Sequence, residues 1–477
     1  MTTHDIQNLM TKSGVAFGTS GARGLVTQMT DDVCIAYTLA FLHGLKLIRP
    51  GLRVALGMDL RPSSPAIARA CAVGIRQAGG EVDFCGALPT PALALHSLQS
   101  GIPAIMVTGS HIPFNRNGIK FYRSTGEISK ADEAAITAAC VETKPLTTED
   151  DLPEVNPAAM QNYRKRYRSL FAPDLLQGWR IGVYEHSSVA RDVLKTLLTD
   201  LGAEVVGIGR TDCFVPIDTE AVSAEDRQRG REWATEYRLD AMVSTDGDGD
   251  RPLIGDETGN WLRGDIVGLL CAQFLDAETV VVPVSCNTAI ERCNGFKQVV
   301  RTRIGSPFVI AGMAQADGRV AGFEANGGFL AGQGLTVNGQ PLTALPTRDS
   351  VLPVLALLAM ARQRGVKLSA LTDTLPQRHT ASDRLQDFPT DISRDLLKQL
   401  QTDGSAYQEI WGDQSVTIVQ RDNTDGLRLT LATGDIVHVR PSGNAPELRC
   451  YAEADTVERA QTWVDLTLHR LKQRLVS

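Results

Sequence analysis

Four short segments of this chain combine residue types that can handle phosphate, a hard cation and sugar hydroxyls. The first reads V-T-G-S-H-I-P-F-N-R-N-G-I-K over residues 107–120 and follows an apolar run at 103–107. It sets the Ser110 hydroxyl among turn formers, with Lys120 downstream. A serine is a weak nucleophile unless a base or a metal activates it. The segment lacks the glycine that a hydrolase nucleophile elbow needs after its serine, which argues against an esterase. Lys120 is a candidate phosphate contact or general acid/base. His111 is expected to point away from Ser110 if the segment is extended, and so to position rather than react. The second segment alternates Asp246, Asp248 and Asp250 with glycine and ends in Arg251. Three carboxylates this close repel unless a cation sits among them, and an all-oxygen set favours Mg²⁺ over Zn²⁺. An EF-hand fits poorly. Glu257 falls at its twelfth position, but Arg251 replaces the required glycine and Pro252 follows. Arg251 beside three aspartates implies a second anion, such as a phosphate.

The third segment offers Glu324 and Asn326 with Gly327 and Gly328, a carboxylate and an amide suited to sugar hydroxyls. The fourth, R-P-S-G-N-A-P-E-L-R at 440–449, brings Arg440, Ser442, Gly443, Asn444 and Arg449 around a turn that can ring a phosphate. Taken singly, Ser110 is a loop hydroxyl and Glu324 to Asn326 a surface turn. The set carries the reading.

The elements that position these loops repeat. Residues 53–57, 180–184 and 279–283 read as strands, each followed by a loop and a helix, at 65–78, 190–201 and from about 288. Such alternation predicts βαβ units around mostly parallel sheets. In each unit a later strand runs into one of the first three segments. Ligands of open α/β sheets bind beyond the carboxyl ends of strands, so the three loops are expected to share one site. A helix is predicted over 351–364. The tail differs: strand patterns at 414–420, 427–431 and 435–440 precede a helix at 456–475, predicting a small α+β domain.

Length and composition set outer limits. At 477 residues the chain exceeds one core, so several domains are expected. A net charge of −7 argues against nucleic acid or an anionic membrane as the main partner. Nine scattered cysteines without a Cys-x-x-Cys pair fit reduced thiols. The first residues lack a basic-then-apolar leader, and the apolar run 351–361 carries Pro353 and is too short to span a bilayer. A cytoplasmic protein is expected.

Taken together, the segments resemble the α-D-phosphohexomutase superfamily, and within it the bacterial phosphomannomutase/phosphoglucomutase group. The F-G-T-S-G-A-R-G at 17–24 matches the opening motif, and 108–120 resembles the phosphoserine loop T-A-S-H-N-P…N-G-x-K. Residues 246–251 match D-G-D-G-D-R, 323–328 stand where the family has G-E-x-S-G-H, and 440–449 resemble R-x-S-G-T-E-P-x-x-R. Ile112, Gly328 and Asn444-Ala445 depart from the pattern.

The resemblance implies three similar α/β domains (1–154, 155–258, 259–374) and a C-terminal α+β domain (375–477) around one cleft. It implies that Ser110 carries a phosphoryl group and joins Asp246, Asp248 and Asp250 in holding Mg²⁺. Arg23 and Lys120 would serve proton transfer and phosphate charge, with His111 beside them. Arg251, Glu324 and Asn326 would meet the substrate, and the 440–449 loop its distal phosphate. The implied reaction interconverts mannose 6-phosphate and mannose 1-phosphate, with hexose 1,6-bisphosphate as activator. Glucose is the alternative sugar. Glucosamine ranks last, because G-T-S-G at 18–21 is less like the G-T-D-G of glucosamine enzymes. A monomer or homodimer is expected.

Overall fold

The computed structural model describes residues 1–18, 21–147, 150–402, 410–411, 416–442 and 447–476. The three predicted units form three sheets of one pattern. Arg53–Met58 is flanked in parallel by Glu81–Ala87 and Ala104–Val107. Arg180–Tyr184 is flanked in parallel by Glu204–Ile208 and Ala241–Thr245. Thr279–Pro283 is flanked in parallel by Gln298–Thr302 and Val320–Phe323. Strands such as Ala104–Val107, Ala241–Thr245 and Val320–Phe323 are buried throughout, as mainly apolar strands covered on both faces should be.

Each unit adds an antiparallel return strand: Arg116–Arg123, Pro252–Gly255 and Phe329–Ala331. The flank of the acidic loop reads as a strand in the sequence, whereas Arg116–Arg123 is too polar and Phe329–Ala331 too short to show a strand period. Their effect on function is direct. Antiparallel neighbours can be joined by a tight loop, where parallel ones need a long crossover. Each unit therefore ends its last parallel strand in a short, rigidly framed loop, and these loops carry Ser110, Asp246 to Asp250, and Glu324 to Gly328.

The helix predicted over 65–78 runs Ser64–Gln77, with Pro65 in its first turn, where no backbone donor is needed. The helix Val351–Arg364 forms as expected and stops at Gly365. An unpredicted strand, Thr2–Asp5, pairs with Cys140–Thr143. The tail is a five-stranded antiparallel sheet in the order His379–Leu385, Leu448–Ala454, Ile436–Pro441, Leu427–Leu431, Ile418–Asp422. Two of these strands and the helix Thr390–Thr402 were not legible in the pattern. Residues 414–415 of the predicted stretch 414–420 lie outside the described residues.

One apolar core runs through all three α/β units, from Ala92–Leu95 past Val183 and Val243 to Val351–Ala361. The helix Thr90–Ser100 packs on both the helix Ala158–Arg168 and the strand Leu345–Asp349. The tail has a core of its own, built on Leu396, Trp411, Leu429, Val437 and Val464. It meets the third unit through polar groups: the Thr288 amide donates to Glu453 at 3.0 Å, Asn287 Nδ2 to the Arg378 carbonyl at 2.9 Å, and the Ile304 amide to Asp425 at 2.9 Å. No described helix is long and apolar enough to cross a membrane.

Candidate active site

Ser110 is fully buried and has φ 53, left-handed backbone that costs a non-glycine residue energy. The loop is held there from inside. Arg61, itself buried, sends Nη2 to the carbonyls of Ser110 (2.8 Å) and Ile112 (2.6 Å) and Nη1 to those of Pro113 (2.8 Å) and Arg116 (2.9 Å). Its Nε donates to Asp59 at 3.2 Å, and Phe214 from the second unit stacks on its guanidinium at 3.9 Å. Gly109 has no room for a side chain, since a Cβ there would lie 2.6 Å from Arg61 Cζ.

Ser110 Oγ donates to Asp246 Oδ2 at 2.8 Å. The left-handed turn at Ser110 corrects the expectation that His111 points away: its Nδ1 lies 3.4 Å from the serine Oγ. That nitrogen also accepts from Arg251 Nη1 at 2.9 Å. A guanidinium only donates, so the single lone pair of Nδ1 is taken and Asp246 is the acceptor that faces the serine proton. Burial and the charges of Arg251 and Arg23 push the His111 imidazole well below its ordinary value.

The acidic loop folds back on itself, with the Asp246 amide donating to the Arg251 carbonyl at 3.1 Å. The three aspartates are buried and can bring one oxygen each within 4.8 Å of the others. Asp248 Oδ2 accepts from Lys120 Nζ at 2.7 Å and Thr90 Oγ1 at 2.8 Å. Asp250 Oδ2 accepts from Lys120 at 3.0 Å. The remaining oxygens, Asp248 Oδ1 and Asp250 Oδ1, are buried without a hydrogen-bond partner among the described residues. Burial and its two like neighbours hold the Asp246 carboxyl well above the usual carboxylate range. Buried, unpartnered carboxylate oxygens of this density fit a hard divalent cation.

Cations surround this centre. Burial works to lower Lys120, but Asp248 and Asp250 outweigh it and raise its pKa, which keeps the ammonium charged. Arg23, on the strand Ala22–Leu25, is pushed down to about 10 by burial and by Arg251 and Arg348. Its Nη1 is buried with no partner among the described residues, which suits an incoming anion. Glu324 sits close by, accepting from Arg348 Nη1 at 3.0 Å. Asn326 is fixed in its turn, its Oδ1 accepting from the Gly328 amide at 2.9 Å and its carbonyl from Thr219 at 2.7 Å. The fold thus joins Ser110, His111, Lys120, the three aspartates, Arg251 and Glu324 in one network, and the charge of Arg23 lies near enough to feel Asp248 and Asp250.

The tail lies near enough for the charge of Arg449 to act on His111. Arg449 donates to Glu447 at 3.0 Å, and Arg440 pairs with Asp425 at 3.4 Å. The Ser442 amide donates to the Glu447 carbonyl at 2.8 Å. Gly443 and Asn444 lie outside the described residues. Arg449 and Tyr451 line a cavity of about 820 Å³, with Asp218 and Glu220 across from them. Sequence reasoning passed over Arg61, Arg348 and Thr90. Arg61 lies in the loop between the strand at 53–57 and the helix predicted over 65–78, and nothing in its local pattern shows that distant carbonyls converge on it.

Comparison with known proteins follows the same outline. Residues 14–146 match the description "Phosphoglucomutase/phosphomannomutase, alpha/beta/alpha domain I", 263–379 domain III of the same name and 379–469 its C-terminal domain. A phosphomannomutase of Salmonella muenchen is 50% identical over 99% of this chain and 98% of its own length. One from Sinorhizobium fredii (strain NBRC 101917 / NGR234) is 44% identical over 94% and 97%. Among solved structures, a phosphoglucomutase/phosphomannomutase family protein from Burkholderia thailandensis superposes with a TM-score of 0.74 at 20% identity, covering 95% of this chain and 97% of that one. That likeness concerns the fold.

Proposed function

Since the chain belongs to the phosphoglucomutase/phosphomannomutase family, and so is a mutase of the isomerase class, we propose that it interconverts mannose 6-phosphate and mannose 1-phosphate. The observation that carries the reading is the Ser110 hydroxyl held 2.8 Å from a carboxylate of the acidic triad. A phosphoryl donor and a candidate metal site thus adjoin in one buried centre. Mannose is favoured over glucose by the 50% identity to a phosphomannomutase.

In this reading Ser110 carries a phosphoryl group. The bond from phosphorus to Ser110 Oγ breaks as one forms to the free sugar hydroxyl, giving a hexose 1,6-bisphosphate. One proton leaves the sugar hydroxyl and one reaches the serine oxygen, with the Asp246 carboxylate that faces Ser110 Oγ taking up the first and returning it to the serine, so that none is gained or lost. The bisphosphate then turns over, and its other phosphate returns to Ser110. Asp246, Asp248, Asp250 and Ser110 Oγ would hold Mg²⁺, which when bound neutralises charge on the moving phosphoryl group. Lys120, kept as an ammonium, donates to that group, and Arg251 and Arg23 balance its charge. Arg23, with the lowered pKa, is the cation closest to proton exchange. Glu324 and Asn326 grip sugar hydroxyls, while Arg440, Ser442, Gly443, Asn444 and Arg449 hold the distal phosphate. Burial around Ser110 keeps water from the phosphoserine. Hexose 1,6-bisphosphate primes the unphosphorylated serine. We place the enzyme in the cytoplasm, as a monomer or homodimer acting on small sugar phosphates.

The test is mutase activity on mannose 1-phosphate and glucose 1-phosphate, with Mg²⁺ and a trace of bisphosphate. Ser110→Ala should abolish turnover with an unchanged circular dichroism spectrum. Near-normal rates in that variant would refute the phosphoserine, and the ratio of the two sugar rates names the substrate.

A further inference from the structure

We propose that Arg348 is a positioning residue that ties the sugar-facing carboxylate Glu324 to the metal-facing carboxylate Asp250, and that Gly328 is bare because the stem of Arg348 occupies that space. The proposal rests on reading Glu324 as a sugar contact and Asp250 as a metal ligand.

Arg348 lies on the strand Leu345–Asp349 and is 3% exposed. Its Nε and Nη2 donate to Asp250 Oδ2 at 3.0 and 2.8 Å, and its Nη1 to Glu324 Oε2 at 3.0 Å. With Lys120 these donors fill one oxygen of Asp250 and leave the buried Oδ1, which has no hydrogen bond among the described residues and only the Arg251 guanidinium at 3.6 Å, as its ligand atom. A guanidinium is a rigid planar fork, so both carboxylates are set by one plane. The next residue, Asp349, anchors the end of the strand that carries Arg348. It accepts from Tyr163 at 2.8 Å, from Tyr167, and from the Val351 amide at 2.9 Å. On the other side, a Cβ at Gly328 would lie 2.5 Å from Arg348 Cδ and 2.8 Å from Cγ. A side chain there displaces the fork without removing a single polar group.

The experiment uses the full chain and two readouts: the Mg²⁺ dissociation constant by calorimetry without sugar, and KM for mannose 1-phosphate at saturating Mg²⁺. Arg348→Ala should weaken both by roughly 10-fold or more, the usual effect of losing a group that orients a ligand. Arg348→Lys should recover Mg²⁺ binding better than KM, because one ammonium lacks the fork to serve both carboxylates. Gly328→Ala should weaken both constants in the parent protein and add nothing in Arg348→Ala. The proposal is overturned if only one constant moves, if Gly328→Ala is silent or fully additive, or if the variants lose thermal stability with both constants unchanged. Should Arg348→Ala not fold, Arg348→Lys and Gly328→Ala carry the test. A parent protein inactive on every hexose phosphate refutes the mutase reading instead, and the Mg²⁺ titration then still reports the hold of Arg348 on Asp250.

Discussion

At Ser110 the chemistry depends on residues that never touch a substrate. Arg61 gathers four carbonyls of the serine loop and one carboxylate, with the Ser110 carbonyl and the Asp59 carboxylate out of water. Arg61→Met strands Asp59 and those carbonyls, and should cost about 3–5 kcal/mol, read from urea unfolding. A loss within error would mean the loop holds its shape unaided. The acidic triad gives a second expectation. Asp246 is crowded by two like charges, so Asp246→Asn should raise the melting temperature of the metal-free protein. It should also abolish the upward shift that Mg²⁺ produces by binding the folded state. A full-sized Mg²⁺ shift in the variant would remove Asp246 from the ligand set. The aspartates were legible in the sequence because alternation with glycine has few other uses. Arg61 and Arg348 were not, because a buried arginine is defined by partners far along the chain.

Strands were legible where both faces are buried, as in Thr279–Pro283, and obscure where charged residues interrupt the pattern, as in Leu448–Ala454 with Arg449 and Glu453. The return strands Arg116–Arg123 and Phe329–Ala331 stayed hidden, one for its polarity and the other for want of length, yet the return strands turn an ordinary sheet edge into a loop clamp. The strand Ile436–Pro441 carries its own pH dependence. His438 is buried, with Nε2 2.6 Å from the Asp425 carbonyl, and Nδ1 has no partner among the described residues. Burial first, with help from the charges of Arg440 and Arg428, pushes the imidazole down to about 4 from 6.5. The unfolded chain therefore binds the proton more readily between those values. The neutral histidine's contribution is whole above pH 6.5 and is lost as pH falls towards 4. His438→Gln should flatten the decline of stability across that window in denaturant titrations. Parallel curves for variant and parent would show another group responsible.

Across the whole molecule, the shared core of the first three units contrasts with the separate core of the tail and the polar seam between them. We expect residues 375–477 to fold cooperatively when expressed alone, and calorimetry of the full chain to resolve a second transition. One transition together with an unfolded fragment would show the tail to depend on its neighbours. The family fold and all four loops were visible in the sequence, since each loop is local. The common core was not, because it joins segments hundreds of residues apart. That distance has a price during synthesis. The helix Thr90–Ser100 meets the helix Ala158–Arg168 early, but the part of its surface that faces the strand Leu345–Asp349 is covered only when that strand arrives. About 250 residues separate the two, roughly 12–50 s of translation at about 5–20 residues per second. For that interval each nascent chain shows a bare greasy flank to the cell, which makes it a client for ribosome-associated chaperones long before it can act on a sugar.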